Sequence, residues 1–332
     1  MPEPLLAPQP SVAVAPSRAA SVLGCGTALP ERIVETAALA APFGVDEDWV
    51  VGRTGVRRRR IADADARLSD LAAAAARAAL ERAQLRPVEV DLVLVATMTA
   101  DELTPNAAPL VAHALGAENA GAADVGAACT AFLSALSLGA AQIESGRARH
   151  VLVVGADILS RVTDTEDRAT ALLFGDGAGA IVLGASSDGG GLGPVVLRHD
   201  GRGAAAIVAH RDRGVIEMDG QETYRHAVAR LTEASRQAAA AAAIDLADID
   251  LFVPHQANAR ITRAVGARLG LDDDRVVDCI GELGNTSAAT LPLALAHAER
   301  AGRLSAGDTV LLAAFGAGFT WGAGVLEWGA GA

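Results

Sequence analysis

An internal repeat at an offset of 159 residues limits the possible folds of this chain more than any other feature. The segment DLVLV at position 91 matches DLFVP at position 250, and VLVVGA at 151 matches VLLAAF at 310. The stretch before the first strand of each pair keeps the same offset without a gap. Similarity of this kind over about 60 residues predicts a duplicated unit of roughly 150 residues.

The pattern within each unit predicts alternating strands and helices. In the first unit we expect helices at 67–84, 109–115 and 130–145 and strands at 90–98 and 150–157. Nearly continuous apolar strands are typical of a sheet that is covered on both faces. We therefore predict an α/β fold of two pseudo-symmetric βαβαβ-type halves in a layered αβαβα arrangement, with a pocket where the halves meet. The predicted boundaries are a disordered Pro- and Ala-rich extension at 1–19, an N-terminal half at 20–187 and a C-terminal half at 188–332.

Composition excludes several classes of function. All 28 basic side chains are Arg, and the absence of Lys removes Schiff-base chemistry, pyridoxal phosphate attachment and the P-loop lysine. A net charge of −12 argues against nucleic-acid binding. Three scattered cysteines and seven histidines without HxxxH spacing predict neither a disulfide framework nor a metal site. Since no apolar run suits a membrane span and no secretion signal is present, we expect a cytoplasmic protein without a cofactor.

Cys129 is the candidate nucleophile. It lies in DVGAACTAFLSAL, where a small-residue stretch runs directly into a predicted amphipathic helix. Unpaired N–H groups at a helix N-terminus stabilise a thiolate, so we expect Cys129 to be ionised and ready to attack a thioester. The alternative is a small buried cysteine used in packing. Cys25 and Cys279 lie in apolar contexts without this geometry, and we interpret them as structural.

His255 and Asn285 are the candidate partners of Cys129. His255 is the first polar side chain after a buried strand that ends before Pro254, and the carboxyl ends of strands in α/β folds line the crevice. Asn285 lies in GELGNTSAAT, close to the position that the repeat pairs with Cys129. Taken singly, the position of His255 favours a capping or surface histidine, and Asn285 is also consistent with a cap of the helix that follows it.

Two glycine-rich segments and one run of arginines are the remaining candidate functional segments. The glycines of AFGAGFTWGAG (314–324) let backbone amides approach a ligand, and one such amide with that of Cys129 would form an oxyanion hole; the alternative is a tight turn. The segment FGDGAGA (174–180) precedes an apolar strand instead of a helix, which argues against dinucleotide binding. The run of arginines at 57–60 is typical of a solvated or anion-facing stretch.

Six segments in chain order together resemble the β-ketoacyl-acyl carrier protein (ACP) synthase III family of the thiolase-like superfamily. They span nearly the whole chain from about residue 20 to residue 328, and they contain the Cys, the His and the Asn. The segments are DEDWVVGRTGVRRR (46–59), GAACTAFLSAL (126–136), TDTEDRATALLFGDGAGAIVL (163–183), PHQANARI (254–261), GELGNTSAAT (281–290) and AFGAGFTWG (314–322).

This resemblance implies a decarboxylative Claisen condensation that gives a β-ketoacyl-ACP in fatty acid or polyketide starter-unit biosynthesis. Cys129 would take the acyl group of an acyl-CoA primer, after which malonyl-ACP would bind. His255 and Asn285 would stabilise the enolate that forms when carbon dioxide leaves, and the amides of Cys129 and Ala317 would hold the tetrahedral oxyanion.

The resemblance also implies binding residues and a homodimer. It assigns CoA contacts, ACP docking and the acyl pocket to three sets of residues. These are Trp49, Arg53 and Arg168 for CoA, Arg225, Arg260 and Arg268 for ACP, and Ala108 and Phe315 for the acyl pocket. Ala108 is expected where the family often places a bulky aromatic that closes the acyl tunnel from the partner subunit, which predicts primers larger than acetyl. Ala317 replaces a common Gly, so its amide can donate only if its backbone angles suit Ala.

Two other functions are compatible with the same fold. A relative could transfer the acyl group to an alcohol or amine without decarboxylation, and a non-catalytic relative could act as a partner or acyl-carrier scaffold. The first usually alters the His and Asn pair and the second usually loses the nucleophile. The presence of Cys129, His255 and Asn285 therefore favours carbon–carbon bond formation.

Overall fold

The computed structural model describes residues 19–186 and 190–329. The predicted extension, apart from Ala19, and the predicted boundary at 187/188 lie outside the described residues. Within those two ranges, no helix has the length and hydropathy that a bilayer span requires.

Two mixed sheets form the framework, one from each half of the chain. The first has five strands, which in spatial order are β1 (Ala20–Ala28), β7 (Asp176–Ala185), β6 (His150–Ile158), β4 (Leu92–Ala96) and β5 (Gly121–Val125). The second has four, which are β11 (Leu251–Pro254), β12 (Thr309–Gly316), β13 (Thr320–Glu327) and β8 (Leu192–His199). Two short hairpins pair β2 (Ile33–Glu35) with β3 (Arg58–Arg60) and β9 (Ile207–Ala209) with β10 (Ile216–Met218).

Helices cover the sheets in three layers. The helices are α1 (Thr36–Ala40), α2 (Glu47–Thr54), α3 (Leu68–Arg82), α4 (Ala107–Leu115), α5 (Ala131–Glu144), α6 (Arg168–Ala171), α7 (Gly220–Ala241), α8 (Ala259–Leu269), α9 (Ile280–Leu283) and α10 (Thr290–Arg300). Buried side chains of α5 and α10 fill the space between the sheets. Those of α3 and α4 cover the outer face of the first sheet, and those of α7 and α8 cover the second. The predicted αβαβα layering is confirmed.

The offset of 159 residues is visible in the structure. Parallel strands β4 and β6 of the first sheet correspond to β11 and β12 of the second. The 3₁₀ turns Ala128–Thr130 and Ser287–Ala289 occupy equivalent positions, and they lead directly into α5 and α10. Each turn therefore presents a polar segment at the start of a central helix, where the two halves meet.

Small residues are needed where the backbone of one element packs directly against the backbone of another. An added Cβ at Gly26 of β1 would lie 2.2 Å from the backbone nitrogen of Ala79 in α3. The face of α3 that meets the sheet consists mainly of Ala, with five of them buried: Ala72, Ala73, Ala75, Ala76 and Ala79. Helix and sheet can pack at this short distance only because neither presents a larger side chain.

The arginine run at 57–60 corrects one expectation, because Arg59 is fully buried. It is the central residue of β3, and alternation along the strand turns its side chain inward while Arg58 points to solvent. Its Nη2 donates to Thr36 Oγ1 at 2.8 Å and its Nη1 to the carbonyl of Ala171 at 3.3 Å. Burial lowers the pKa of Arg59 to about 10. The run is therefore partly structural, and Arg59 connects the hairpin to the last residue of α6.

Candidate active site

A cavity of about 690 Å³ lies between the two halves, and Cys129, His255 and Asn285 all line it. Cys129 lies in the turn before α5, His255 follows the end of β11, and Asn285 lies in the segment before α10. Cys129 is more than 120 residues from the other two in the chain, and the three meet because the duplication places the starts of α5 and α10 face to face. The cavity is lined mainly by apolar side chains, as small-molecule sites usually are.

The turn that holds Cys129 is tied to the opposite sheet. Ala128 has a φ of +46°, a left-handed conformation that turns the chain sharply before the helix. Thr130 Oγ1 donates to the carbonyl of Ala127 at 2.7 Å and contacts Thr320 Oγ1 at 2.9 Å. Thr320 in turn donates to the carbonyl of Ala317 at 3.0 Å. These contacts hold Cys129 against the segment that was expected to complete an oxyanion hole.

The ionisation state of Cys129 differs from the expectation. Burial raises the pKa of the Cys129 thiol to about 11, and the nearby Asp157 carboxylate adds to this, although the Ser287 hydroxyl acts in the opposite direction. The 3₁₀ turn before α5 does not offset this desolvation. The prediction of a resting thiolate is therefore wrong: at neutral pH the free protein holds a protonated thiol, which must lose its proton during attack.

His255 is 2% exposed and its backbone is fixed by the second sheet, since its N–H donates to the carbonyl of Ala313 at 2.7 Å. The neighbouring Gln256 side chain donates to the carbonyls of Pro254 and Val277 and accepts from the N–H of Cys279. Burial lowers the pKa of His255 to about 4, so the imidazole is neutral at physiological pH. A neutral ring can donate from one nitrogen to a ligand and accept at the other.

The Asn285 side chain has a defined orientation. Its Oδ1 accepts from the N–H of Ser287 at 2.9 Å, which leaves its amide NH₂ group as the donor on the cavity side. Its backbone bonds to the segment before β7, with Asn285 N–H to Leu173 O and Gly175 N–H to Asn285 O, both at 3.0 Å. The Asn285 backbone therefore joins the two halves, and its side chain presents a donor to the same space as His255.

The two amides expected to bind an oxyanion lie next to one another. Ala317 lines the cavity, and its neighbour Gly316 approaches Cys129 so closely that an added Cβ would lie 2.9 Å from the Cys129 nitrogen. Among the described residues the non-glycine residues with positive φ are Gln84, Ala128, Ala243 and Ser287. Ala317 is therefore in an ordinary backbone region, and Ala meets no strain there.

Trp49, Arg53 and Arg168 form one cluster at the cavity wall. The guanidinium carbon of Arg53, one turn along α2, lies 3.9 Å from the centre of the Trp49 ring, and that of Arg168 lies 4.9 Å from it. Both arginine side chains are exposed. An aromatic ring beside two cations is suited to stacking a base and pairing phosphates.

The three arginines expected to dock ACP lie on the two outer helices of the second half. Arg225 belongs to α7, whereas Arg260 and Arg268 belong to α8, and all three are exposed. Arg260 also lines the cavity, with its guanidinium 5.2 Å from the centre of the Tyr224 ring. Arg225 forms an ion pair with Glu222, which reduces its free positive charge.

The acyl pocket differs from the expectation at Ala108. Ala108 is fully buried within its own chain, in the cluster that α3 and α4 form with the first sheet, and its N–H donates to Asp124 at 2.7 Å. It does not line the cavity, and its burial prevents it from reaching a neighbouring subunit. The argument from Ala108 for larger primers therefore fails. Phe315, the other residue predicted for the pocket, does line the cavity.

A group of apolar side chains that sequence reasoning missed lines one part of the cavity, and we call it the apolar pocket. It consists of Met98, Leu159, Leu173, Phe174, Ile207, Ile216 and Met218. They come from five separate segments, and each resembles an ordinary core residue in sequence. Leu173 and Phe174 lie in the segment 163–183 that carries the family resemblance, but the sequence assigned neither of them to the acyl pocket.

Comparison with known proteins gives one family. The sequence models described as 3-oxoacyl-[acyl-carrier-protein] synthase III and its C-terminal region match residues 123–201 and 239–328. A β-ketoacyl-ACP synthase III of Rhizorhabdus wittichii is 43% identical over 319 residues, which cover 94% of this chain and all of that protein. This chain belongs to the β-ketoacyl-ACP synthase III family. The predicted resemblance is confirmed.

Solved structures of synthase III proteins have the same fold. The 3-oxoacyl-ACP synthase III of Pseudomonas aeruginosa is 41% identical, with a TM-score of 0.90 over 94% of this chain and 99% of that one. The priming β-ketosynthase from the R1128 polyketide biosynthetic pathway is 39% identical, with a TM-score of 0.91 over 97% and 99% of the two chains. Relatives in this group thus include proteins named as β-ketoacyl-ACP or 3-oxoacyl-ACP synthase III and one named as the priming ketosynthase of a polyketide pathway.

Proposed function

We propose that this protein primes a biosynthetic chain by condensing an acyl-CoA with malonyl-ACP, releasing CoA and carbon dioxide and giving a β-ketoacyl-ACP. The observation that carries the proposal is that Cys129, His255 and Asn285 face one cavity in a member of the synthase III family. The acyl-CoA would enter beside Trp49 and Arg168, and the apolar pocket would hold its acyl chain. No metal or cofactor takes part in this scheme.

In the first half-reaction the Cys129 sulfur attacks the acyl-CoA carbonyl, and the amides of Cys129 and Ala317 receive the developing oxyanion. The thiol proton must leave as the S–C bond forms, because the raised pKa of Cys129 disfavours a free thiolate. The neutral His255 faces the same cavity and can accept it. The proton then leaves on the departing CoA thiol, and the product is an acyl thioester on Cys129.

In the second half-reaction malonyl-ACP replaces CoA. Loss of carbon dioxide leaves an enolate on the thioester oxygen, which His255 and the Asn285 amide stabilise by donating hydrogen bonds. The enolate carbon attacks the acyl carbonyl on Cys129, and the sulfur leaves and recovers a proton. Each donor aimed at such an oxygen typically contributes about 3–4 kcal/mol to the transition state.

Release of labelled carbon dioxide from malonyl-ACP tests this function. With an acyl-CoA primer present, we expect stoichiometric label release and β-ketoacyl-ACP. An acyl adduct on Cys129 without label release would instead support transfer to an alcohol or amine. Absence of any adduct across a panel of acyl-CoA primers would support a scaffold.

Changing Ile216 should alter primer choice. Ile216 is 4% exposed and lies in the apolar pocket. We compare kcat/KM for longer acyl-CoA primers with kcat/KM for shorter ones. We expect Ile216→Ala to raise this ratio, because it enlarges the pocket, and Ile216→Phe to lower it. The expected change is roughly tenfold for each methylene group that the pocket gains or loses room for. Ile33→Ala, at an exposed position on β2, is the control and should leave the ratio unchanged. Equal primer profiles for all three variants would show that the acyl chain binds elsewhere.

Two arginine substitutions should separate the two substrates. We expect Arg168→Ala to raise KM for acyl-CoA roughly tenfold, through loss of a phosphate or stacking contact, and to leave KM for malonyl-ACP nearly constant. Arg268→Ala, on the outer face of α8, should do the reverse. Steady-state kinetics with each substrate varied in turn gives the comparison, and each variant is the control for the other. If each variant raised KM for both acyl-CoA and malonyl-ACP, the assignment of Arg168 to CoA and of Arg268 to ACP would be contradicted.

We further propose a cytoplasmic homodimer, as the family resemblance implies. Three observations support it: β5 is an edge strand, Leu103 is 86% exposed, and the three cysteines are free. Sedimentation equilibrium tests the homodimer, and a measured mass equal to that of one chain would contradict it.

A further inference from the structure

A groove on the protein surface adjoins the active-site cavity and has no part in the reaction scheme, and we call it the side groove. It has a volume of about 490 Å³ and is lined by residues 64–67, 98–101, 161 and 162. It opens to solvent, since Ala64, Asp65 and Arg67 are exposed. Among the described residues, Met98 is the one that lines both the side groove and the active-site cavity. Met98 therefore lies between the two spaces.

Met98 and Val162 form the wall between the apolar pocket and the side groove. Val162 lines the groove, and both side chains pack against one buried cluster of the apolar pocket. The members of that cluster are Leu159, Leu173, Phe174 and Ile216. Because Met98 borders both spaces, the wall is one residue thick at this position.

The backbone of the wall is held in place, whereas the Met98 side chain can adapt. The N–H of Met98 and the hydroxyl of Thr99 both donate to Asp157 Oδ1, at 2.9 and 2.8 Å. Val162 ends the 3₁₀ turn that begins at Leu159. Met98 is half-buried, and a methionine side chain is unbranched and flexible, which suits it to filling gaps. The size of this one side chain therefore sets the end of the apolar pocket on this side.

The two spaces that Met98 separates differ in polarity. The members of the apolar pocket are all uncharged and apolar. The side groove contains Arg67, Asp101 and Arg161, with a carboxylate oxygen of Asp101 3.6 Å from Arg67 Nη2 and 2.9 Å from Arg161 Nη1. Burying an unpaired polar group costs free energy, whereas a group in an open groove keeps its water. An acyl chain that ends before Met98 must therefore be apolar to its end.

We propose that Met98 is a specificity-determining residue that closes the apolar pocket toward the side groove. In the wild type, the accepted primers are then acyl groups that are apolar throughout and short enough to end before Met98. Without the Met98 side chain, the far end of a longer acyl chain would pass into the side groove and meet water. The proposal rests on the proposed function in one respect, that the apolar pocket holds the acyl chain.

Met218→Ala is the matched control for Met98→Ala. Met218 is also half-buried, packs against the same buried cluster and lines the active-site cavity, but it does not line the side groove. Both substitutions remove the same atoms from the same pocket, and only Met98→Ala opens the pocket at its end. The comparison therefore separates an opened pocket from one that is merely larger.

The first test is kcat/KM across a series of straight-chain acyl-CoA primers. For chains longer than the wild type accepts, we expect Met98→Ala to raise kcat/KM roughly a hundredfold, because several further methylene groups find room. Met218→Ala should raise it by about tenfold or less, and only for the next longer chains. Coinciding profiles for Met98→Ala and Met218→Ala would overturn the proposal.

A primer with a carboxylate at the far end of its acyl chain gives a sharper test. Wild type and Met218→Ala should form little acyl adduct with it on Cys129, because its charge would be buried in the apolar pocket. Met98→Ala should form the adduct at least about tenfold faster, because the carboxylate reaches the side groove. Intact mass measures the adduct. A wild type that is acylated equally fast by this primer and by the alkyl primer of the same length would contradict the proposal.

Filling the side groove should reverse the effect. Ala100 lines the groove but not the active-site cavity. Ala100→Leu alone should leave the wild-type primer profile unchanged, and in the Met98→Ala protein it should remove the gain for long chains. If Met98→Ala does not fold, Val162→Ala opens the same wall with a smaller loss of volume, and we expect a smaller gain for long chains. An unchanged profile in Val162→Ala would then refute the proposal.

A binding measurement tests Met98 without acyl transfer. The probe is decanediol with a hydroxyl group at each end, which a closed apolar pocket disfavours and an opened pocket accepts. We expect it to raise the Tm of Met98→Ala and to leave the Tm of Met218→Ala unchanged, because a ligand that binds the folded state stabilises it. Equal shifts would overturn the proposal. Failure of the proposed function would appear separately, as a wild type that no acyl-CoA acylates.

Discussion

Replacing Cys129 with Ser should abolish the acyl adduct and reduce condensation by roughly a thousandfold or more, as loss of a covalent nucleophile usually does. The serine hydroxyl fits the same site but is a far weaker nucleophile without a strong base, and His255, with its pKa lowered to about 4, is a weak one. Intact-mass measurement after incubation with acyl-CoA gives the adduct, and product formation gives the rate.

Cys25→Ser is the matched control for this prediction. Cys25 is buried, and its sulfur lies 3.8 Å from the carbonyl of Pro292, which can accept a hydrogen bond from a serine hydroxyl. Cys25→Ser is the same chemical substitution, but Cys25 does not line the cavity, so acylation of Cys129 should persist. An adduct of normal stoichiometry on Cys129→Ser protein would show that another group carries the acyl chain.

Removing His255 or Asn285 should separate the two half-reactions. We expect His255→Ala and Asn285→Ala to slow decarboxylation of malonyl-ACP by about 10²–10³, the effect of losing one donor to a developing oxyanion. Acylation of Cys129 should be nearly unaffected in Asn285→Ala. In His255→Ala it should slow, but less than decarboxylation does, because His255 also accepts the thiol proton during acylation. Asn285→Asp is the sharper variant, because a carboxylate can still accept from Ser287 N–H but has no NH₂ group to donate.

The controls are the same substitutions at exposed positions, His113→Ala and Asn119→Ala, which should leave both half-reactions unchanged. Burst-phase release of CoA measures acylation, and labelled carbon dioxide measures decarboxylation. Since burial lowers the pKa of His255, decarboxylation by the acylated enzyme should not decline as the pH rises through 6.5. A decline there would mean that the imidazolium, and not the neutral ring, is the donor.

Local patterns predicted the secondary structure around the site closely. The predicted helices at 67–84 and 130–145 are observed as Leu68–Arg82 and Ala131–Glu144, and the predicted strand at 150–157 as His150–Ile158. Apolar periodicity is strong in these segments because each is covered by other layers. It also predicted a strand after FGDGAGA (174–180), and the observed strand, Asp176–Ala185, begins within that motif.

Properties that depend on neighbours distant in the chain were predicted poorly. Arg59 is one residue in a row of four arginines, and only the pairing of β3 turns it inward. Ala108 is small in a small-residue segment, so its place in the core and not in the pocket depends on how α4 packs. The raised pKa of the Cys129 thiol follows chiefly from its burial, which depends on how the two halves pack around the cavity.

The sequence by itself determined the duplication, the layered α/β fold, the family and the three polar residues most suited to the chemistry, because periodicity, spacing and motif order are properties of the linear chain. The tertiary structure alone decided which side chains share the cavity, which apolar residues form the pocket, and whether the thiol is charged. These depend on distance and desolvation, and groups more than 120 residues apart acquire them only when the two halves fold against each other.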